Sequence, residues 1–537
     1  MSVITVLVKN GLDSKKIFCQ AGENLLKILT KNHIFIENPC NGKGICGKCK
    51  VRVVSGKCNE ISQEEGGFLR KDEICQGIRL ACLTEIEGDM EIELLDKERK
   101  HQVLTSGYLP EFHKDFLRDG YGIAVDIGTT TVAMALVDLS DGKELAQASA
   151  VNAQKQYGLD VLTRITYEYE HPEEGIENLQ RAIVASLNEM TGTMCQKAGI
   201  KKEKLVEIVV AANCTMTHML LGVDARSIGK SPYKPVFTEA TSVLAKDIGF
   251  EAGEHTMLYC LPQVSSYIGA DIVAGAYVCD LQSRKDNVLF VDIGTNGEIV
   301  LSKAGKLFCC SCAAGPALEG MNISSGMRAG EGAVEDVSIS ENGIQLKVIG
   351  NTAPEGLCGS GILAAIRELL RIKVIKKTGV FIKKDTLPVS DFRCSHLRVN
   401  GKKREFVFQD HPEIFVTQND VRQVQLAKGA ILSGFQALLK KAGLTIEELD
   451  EVLIAGQFGA HLPADSLIGT GILPKEVKEK LTYVGNSSKT GAYMALLSKS
   501  ARSAMEQLSF NMEYMELAET ENYERIFAES MLFPEVE

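Results

Sequence analysis

YGIAVDIGTTTVA (residues 121–133) and NVLFVDIGTNGEIV (residues 287–300) are built to one plan. Each runs apolar into an aspartate, turns on Gly-Thr and returns through a second apolar run, the pattern of a buried strand, a tight turn and a partner strand. A further turn and a third strand follow in both, through SDGK after the first copy and AGK after the second. The aspartates, Asp126 and Asp292, stand 166 positions apart, far beyond the ~20–50 residues of a solenoid repeat and suited to two homologous subdomains that face each other.

The residue types carry a mechanism. Gly128 lets backbone N–H groups approach a phosphate, Thr129 and Thr130 offer hydroxyls, and Asp126 can hold Mg2+ or its waters. Asp292 with Gly294, Thr295 and Asn296 repeats the set. A hairpin with polar turn residues would account for one DIGT in isolation; the duplication argues for a nucleotide. A third element, EVLIAGQFGAHL (451–462), ends a strand in Gly456, Gln457, Phe458 and Gly459, and glycines there allow a flat ring to lie on the backbone. A P-loop is excluded, because the Gly229, Lys230, Ser231 triplet has Asp224 where the first glycine must stand. Together these segments resemble the acetate and sugar kinase, Hsc70 and actin superfamily. The resemblance implies two ribonuclease-H-like α/β subdomains, expected over 121–206 and 207–537. It also implies ATP, with the Asp126 and Asp292 loops on its phosphates and Gly456 and Gly459 at the adenosine.

The first 95 residues read as a separate α+β domain. VITVLVKN and KIFCQ make a hairpin and AGENLLKILTKN a crossing helix. ENPCNGKGICGKCKVRVVSG (37–56) then places Cys40, Cys46 and Cys49 at C-x5-C-x2-C, and Cys82 arrives after a further 32 residues in RLACLTEI. Four thiolates complete the ligand set of a 2Fe-2S cluster. Gly42, Gly44 and Gly47 permit a loop that wraps an anion closely, and Lys43, Lys48 and Lys50 would offset its charge. Zinc competes for any four cysteines, but zinc folds use two short C-x2-C knuckles and this chain has one. The spacing resembles adrenodoxin-like and bacterial ferredoxins, which implies a β-grasp ferredoxin domain over 1–95. Residues 96–120, charged and without a strand or helix period, read as a linker, with an amphipathic helix docked on a neighbour as the alternative.

Across 537 residues, 59 Lys and Arg face 70 Asp and Glu, and the net charge of −11 opposes sequence-independent binding to nucleic acid. No stretch approaches the ~20 apolar residues of a membrane span, and the N-terminus lacks the regions of a secretory signal. A cytoplasmic protein with no membrane or nucleic-acid partner is expected. There the 16 cysteines stay reduced, which favours metal and buried-thiol roles over disulfides.

The union of a 2Fe-2S domain with such lobes resembles the reductive activators of corrinoid-dependent methyltransferases. NAQKQYGLDVLTRI (152–165), AANCTMTHMLLG (211–222), AAGPALEGMNISSGM (313–327), GLCGSG (356–361) and DVRQVQLAKGAI (420–431) carry the likeness beside the DIGT loops. It implies an ATP-dependent enzyme that passes one electron to a Co(II) corrinoid protein and restores Co(I), served by an unidentified electron donor and assembled as a homodimer. Co(I) is so strong a reductant that a cluster at around −400 mV sits uphill of it, and each ~59 mV of mismatch costs tenfold. ATP must therefore alter an affinity or the coordination of cobalt. The rival reading is a ferredoxin-type electron-transfer protein whose lobes bind nucleotide without turnover. A small-molecule kinase ranks below it, since no acceptor motif is visible. Within the resemblance, Ser324, Ser325 and Ser360 are candidate partner contacts. His218 is weighed as a cobalt ligand against a packed histidine, and Cys309, Cys310 and Cys312 as a second cluster against buried core.

Overall fold

Alternation in VITVLVKN sends Ile4, Val6 and Val8 to one buried face, so β1 (Val3–Asn10) lies half in the core and pairs antiparallel with β2 (Asp13–Gln20). The computed structural model describes residues 3–10, 13–32, 34, 36, 42, 44, 47–95, 107–341, 343–400, 403–456 and 459–535. By its contacts the chain forms two units, Met1–Lys100 with Gln154–Arg164, and His101–Ala153 with Ile165–Glu537.

In the first unit the helix Leu25–Lys31 starts where the Asn24 side chain accepts from Lys27 N–H and buries Leu25, Leu26, Ile28 and Leu29. Strands β3 (Lys50–Cys58), β4 (Ile78–Leu80) and β5 (Ile86–Leu94) complete a sheet ordered β2-β1-β5-β3-β4, with β1 and β5 parallel. This is the β-grasp arrangement expected from the sequence.

In the second unit, β6 (Tyr121–Ile127), β7 (Thr131–Asp138), β8 (Glu144–Val151), β9 (Leu205–Ala212), β10 (Thr241–Leu244) and β11 (Met257–Cys260) form a sheet ordered β10-β11-β9-β6-β7-β8. A second sheet begins with β12 (Asn287–Ile293), β13 (Gly297–Lys303) and β14 (Lys306–Cys312). An insertion then adds two three-stranded sheets, β15 (Ala333–Ser340), β16 (Gly343–Val348) and β17 (Gly356–Leu357), then β18 (Leu397–Asn400), β19 (Lys403–Asp410) and β20 (Glu413–Thr417). The chain returns through β21 (Glu451–Ala455), β22 (Leu481–Gly485) and β23 (Glu513–Tyr514), giving the order β22-β21-β12-β13-β14-β23. β6-β7-β8 and β12-β13-β14 are antiparallel meanders, while β6-β9-β11 and β12-β21-β22 are parallel. The two sheets thus share the ribonuclease-H-like order, and their central strands are apolar because helices bury both faces.

The division expected between residues 206 and 207 is corrected. It would cut through β9, which pairs with β6 along its length, and the first subdomain continues through β10 and β11. Residues 107–120 of the expected linker form no helix. They are an extended strap whose inward side chains include Phe112 and Phe116, held by Tyr108 N–H on Val484 O (2.8 Å), Phe116 N–H on Leu497 O (3.1 Å) and Arg118 N–H on Leu139 O (3.0 Å). Among the described residues no helix is long and apolar enough to cross a membrane.

Candidate functional site

Strands β6 and β12 each carry their aspartate one residue before the end, and one cleft receives both, lined by Asp126, Gly128, Thr129 and Thr130 from one hairpin and Asp292, Gly294, Thr295 and Asn296 from the other. Gly456, at the end of β21, closes one wall. Its φ is +87°, and a Cβ there would lie 2.3 Å from Asp292 Oδ1, so only glycine fits. Gly456→Ala is expected to weaken nucleotide binding about tenfold or more by calorimetry and to leave the cluster spectrum unaltered. Gly459 is not among the lining residues; it packs against Ile454 and Ile293, where a Cβ would meet Ile454 Cγ2 at 3.0 Å.

The loops are fixed by amides that the motif reading passed over. Asn152 donates from Nδ2 to Gly128 O (2.9 Å) and from its backbone N–H to Thr130 O (2.9 Å), and Asn213 Nδ2 donates to Thr129 Oγ1 (3.0 Å). Buried Glu319 joins the two hairpins, accepting from the Thr130 hydroxyl at 3.2 Å and from the Thr295 hydroxyl. Asp126 is itself held, by Asn486 Nδ2 at 2.8 Å and Ser488 Oγ at 2.7 Å, from the first turn of the helix Ser487–Leu497. A helix N-terminus is a favourable seat for a carboxylate.

Asp271, Glu298 and Glu319 also line the cleft. Glu298 was legible in principle: the β12–β13 hairpin sets it directly opposite Asp292, whereas Ala133 stands opposite Asp126 in the first copy. Asp271, in the first turn of the helix Ala270–Val278, carries no pattern that marks it in sequence. Burial and then the Asp126 charge push Asp271 up to about 7. Burial and then Asp271 and Asp126 push Asp292 up to about 8. Burial raises Asp126 as well, opposed by Ser488, Asn486 and the Lys489 ammonium.

A carboxylate whose folded pKa is raised binds more protons folded than unfolded between the two values, so it subtracts stability as pH climbs from about 4 to about 8. Without nucleotide, thermal stability of the protein is expected to fall between pH 6 and pH 8.5. Asp292→Asn is expected to flatten that fall in a melting series, and an unchanged slope would refute the assignment.

No three Asp, Glu, His or Cys side chains among the described residues converge to chelate a metal unaided. A divalent ion in this cleft therefore needs phosphate oxygens and waters to fill its shell, as Mg2+ usually does.

In the first unit Cys49 and Cys82 are both buried, 1% and 8% exposed. Ala81 N–H donates to Cys49 O (2.8 Å) and Asn24 Nδ2 to Cys82 O (2.9 Å), while the buried Glu65–Arg79 pair (2.8 Å) anchors the approach to Cys82. Gly42, Gly44 and Gly47 all take positive φ, and a Cβ on Gly47 would meet Phe68 at 2.9 Å, so these three positions have the backbone that a close wrap needs. Lys50 is engaged by Glu73 at 2.6 Å rather than held for the cluster. Cys40, Cys46, Lys43, Gln457 and Phe458 lie outside the described residues.

His218 is a packed histidine. Its Nε2 accepts from Val236 N–H (3.1 Å), its Nδ1 donates to Cys214 O (2.8 Å), and its ring stacks on Phe237. Ser324 donates to Asp420 from N (2.9 Å) and Oγ (3.1 Å), Ser325 Oγ accepts from Phe415 N–H (3.0 Å), and Ser360 is buried beside Cys358. All three hydroxyls thus serve internal loops. Cys310 and Cys312 press on Gly434 while Cys309, one residue away along β14, packs into the opposite core, so the three cannot converge on one cluster.

Three family models match the chain: the 2Fe-2S iron-sulfur cluster binding domain over 10–87, the RACo middle region over 121–284, and the C-terminal domain of RACo, the ASKHA domain, over 286–537. The corrinoid activation enzyme RamQ of Eubacterium limosum is 34% identical over 454 residues, 82% of this chain and 76% of that protein. A Co(II) methylated amine-specific corrinoid protein reductase of Methanosarcina barkeri is 25% identical, over 71% of this chain and 70% of that protein. The solved structure of a reductive activator for a corrinoid, iron-sulfur protein superposes with a TM-score of 0.69 at 31% identity, covering 99% of this chain and 98% of that one. With the ferredoxin fold, the paired lobes and likeness of this extent, the chain belongs to the family of reductive activators of corrinoid proteins.

Proposed function

We propose that this chain uses ATP to drive a single electron from its 2Fe-2S cluster onto a Co(II) corrinoid protein, restoring the Co(I) form that accepts a methyl group. The observation that carries the ATP part is the convergence of two DIGT loops, one from each ribonuclease-H-like sheet, on one cleft closed by Gly456.

When bound, the cluster supplies a one-electron couple, and Cys40, Cys46, Cys49 and Cys82 are the residues to hold it. In the cleft, the Gly128–Thr130 and Gly294–Asn296 backbones and hydroxyls would receive phosphates, and Asp126 and Asp292 would face Mg2+ through its waters. Asp271, pushed up to about 7, is matched to accept a proton from an attacking water near neutral pH. Glu319 ties the two hairpins, so a phosphate between them would be felt by both lobes. The reading is completed by a homodimer, a cytoplasmic setting and a separate electron-donor protein.

Mixing the anaerobically reduced protein with Co(II) corrinoid proteins of methyltransferase systems, with and without MgATP, tests the proposal. The Co(I) absorption should rise only with MgATP. Equal rates with and without it would favour an electron-transfer protein that binds nucleotide without turnover.

A further inference from the structure

The chain passes between its two units at the connector before the strap, between Ala153 and Gln154, and between Arg164 and Ile165. The second of these crossings lies beside the Asp126 loop. Asn152, one residue from the Ala153 to Gln154 crossing, is the residue that clasps Gly128 and Thr130. Gly107 and Tyr108 are the first described residues of the strap. Gly107 bridges to Gly485, and Tyr108 N–H donates to Val484 O at 2.8 Å. A Cβ on Gly107 would lie 2.4 Å from Asn486 O and 2.8 Å from Thr490 Oγ1, an approach that only glycine allows. Asn486 is the residue whose side chain holds Asp126.

From there the strap follows the helix Ser487–Leu497 to its end. Phe112 meets Tyr493 edge-on, with ring centroids 6.0 Å apart, and Phe116 N–H caps Leu497 O. Asp115 then accepts from Lys499 N–H (2.7 Å) and Ser500 N–H (3.2 Å), opening the next helix. The strap is therefore built onto the helix whose first turn seats Asp126.

We infer that Gly107 and Tyr108 are positioning residues of the nucleotide cleft, which clamp the 484–486 turn so that nucleotide at Asp126 and the set of the strap are linked. The inference rests on the nucleotide reading above. Linkage is reciprocal: if loosening the strap weakens nucleotide binding, nucleotide must tighten the strap by the same factor.

Two measurements on the full-length protein test it. Tyr108→Pro removes the N–H that Val484 O accepts, whereas Tyr108→Ala keeps it and deletes only a side chain that is 54% exposed. Loss of one hydrogen bond predicts about threefold to tenfold weaker MgATP binding for the proline variant, with the alanine variant like the parent. Equal affinity in both variants overturns the inference. In the unmodified protein, MgATP should slow hydrogen exchange in peptides spanning Tyr108 as well as in those spanning Thr129 and Thr130. Protection at Thr129 and Thr130 with none at Tyr108 overturns the clamp alone. Protection at neither overturns the nucleotide reading and the clamp with it.

Discussion

Asp126→Ala is expected to abolish ATP-dependent reduction of the corrinoid partner, by about 100-fold or more, and to leave the absorption spectrum of the 2Fe-2S cluster as it was. The size of the effect follows from where the carboxylate sits. Asp126 is the last-but-one residue of a buried strand, accepts from Asn486 and Ser488, and faces Asp292 and Asp271 across the cleft. Its removal deletes a charge at the phosphate site and also strands two buried donors, each of which carries a desolvation cost of about 1–3 kcal/mol. Asp126→Asn separates these effects, because it keeps the shape and loses the charge. If the charge matters, the asparagine variant should bind nucleotide with a smaller loss than alanine yet reduce cobalt as poorly. The cluster is spared because Cys49 and Cys82, the proposed ligands among the described residues, belong to the other unit. Reduction at the parental rate in Asp126→Ala would defeat the proposed function.

The second large effect is the converse. Cys49→Ala is expected to eliminate the cluster absorption and all electron transfer while MgATP binds with parental affinity. Cys49 is almost wholly buried, directly before β3, and its carbonyl takes the N–H of Ala81, the residue before Cys82. Four thiolates complete a 2Fe-2S site, and three leave an iron undersaturated. Cys46→Ala should behave alike. A variant with intact electron transfer would mean that another cysteine replaces Cys49, and among the described residues of that unit Cys58 and Cys75 are the thiols that are not fully buried. Together the aspartate and cysteine variants divide the protein into a part that binds nucleotide and a part that carries the electron.

Much of this was legible in one dimension. Strand alternation, the paired DIGT turns and the cysteine spacing are local patterns set by residues a few positions apart, and they announced the β-grasp domain, the duplicated lobes and nine of the ten cleft residues proposed from sequence that the structure allows to be placed. What they could not announce were residues whose role comes from a partner far along the chain. Asn486 and Ser488 reach Asp126 across 360 and 362 positions, and Glu319 joins Thr130 to Thr295 across 189 and 24. The limit of the first subdomain was misplaced for the same reason, since β9 looks like the start of something new until its pairing with β6 is seen.

The 96–120 stretch shows the division most plainly. Its charge and lack of period read as a linker, because its described part, 107–120, docks extended by backbone hydrogen bonds and two phenylalanines, which needs no periodicity. By itself the sequence determined the chemistry this protein can hold: four thiolates at cluster spacing and two phosphate-loop aspartates, which are properties of residue type and local turn geometry. Only the tertiary structure decided how that chemistry is arranged, bringing five carboxylates into one cleft and laying the strap on the helix that seats Asp126, because burial and hydrogen bonding depend on distances in space that chain separation does not encode.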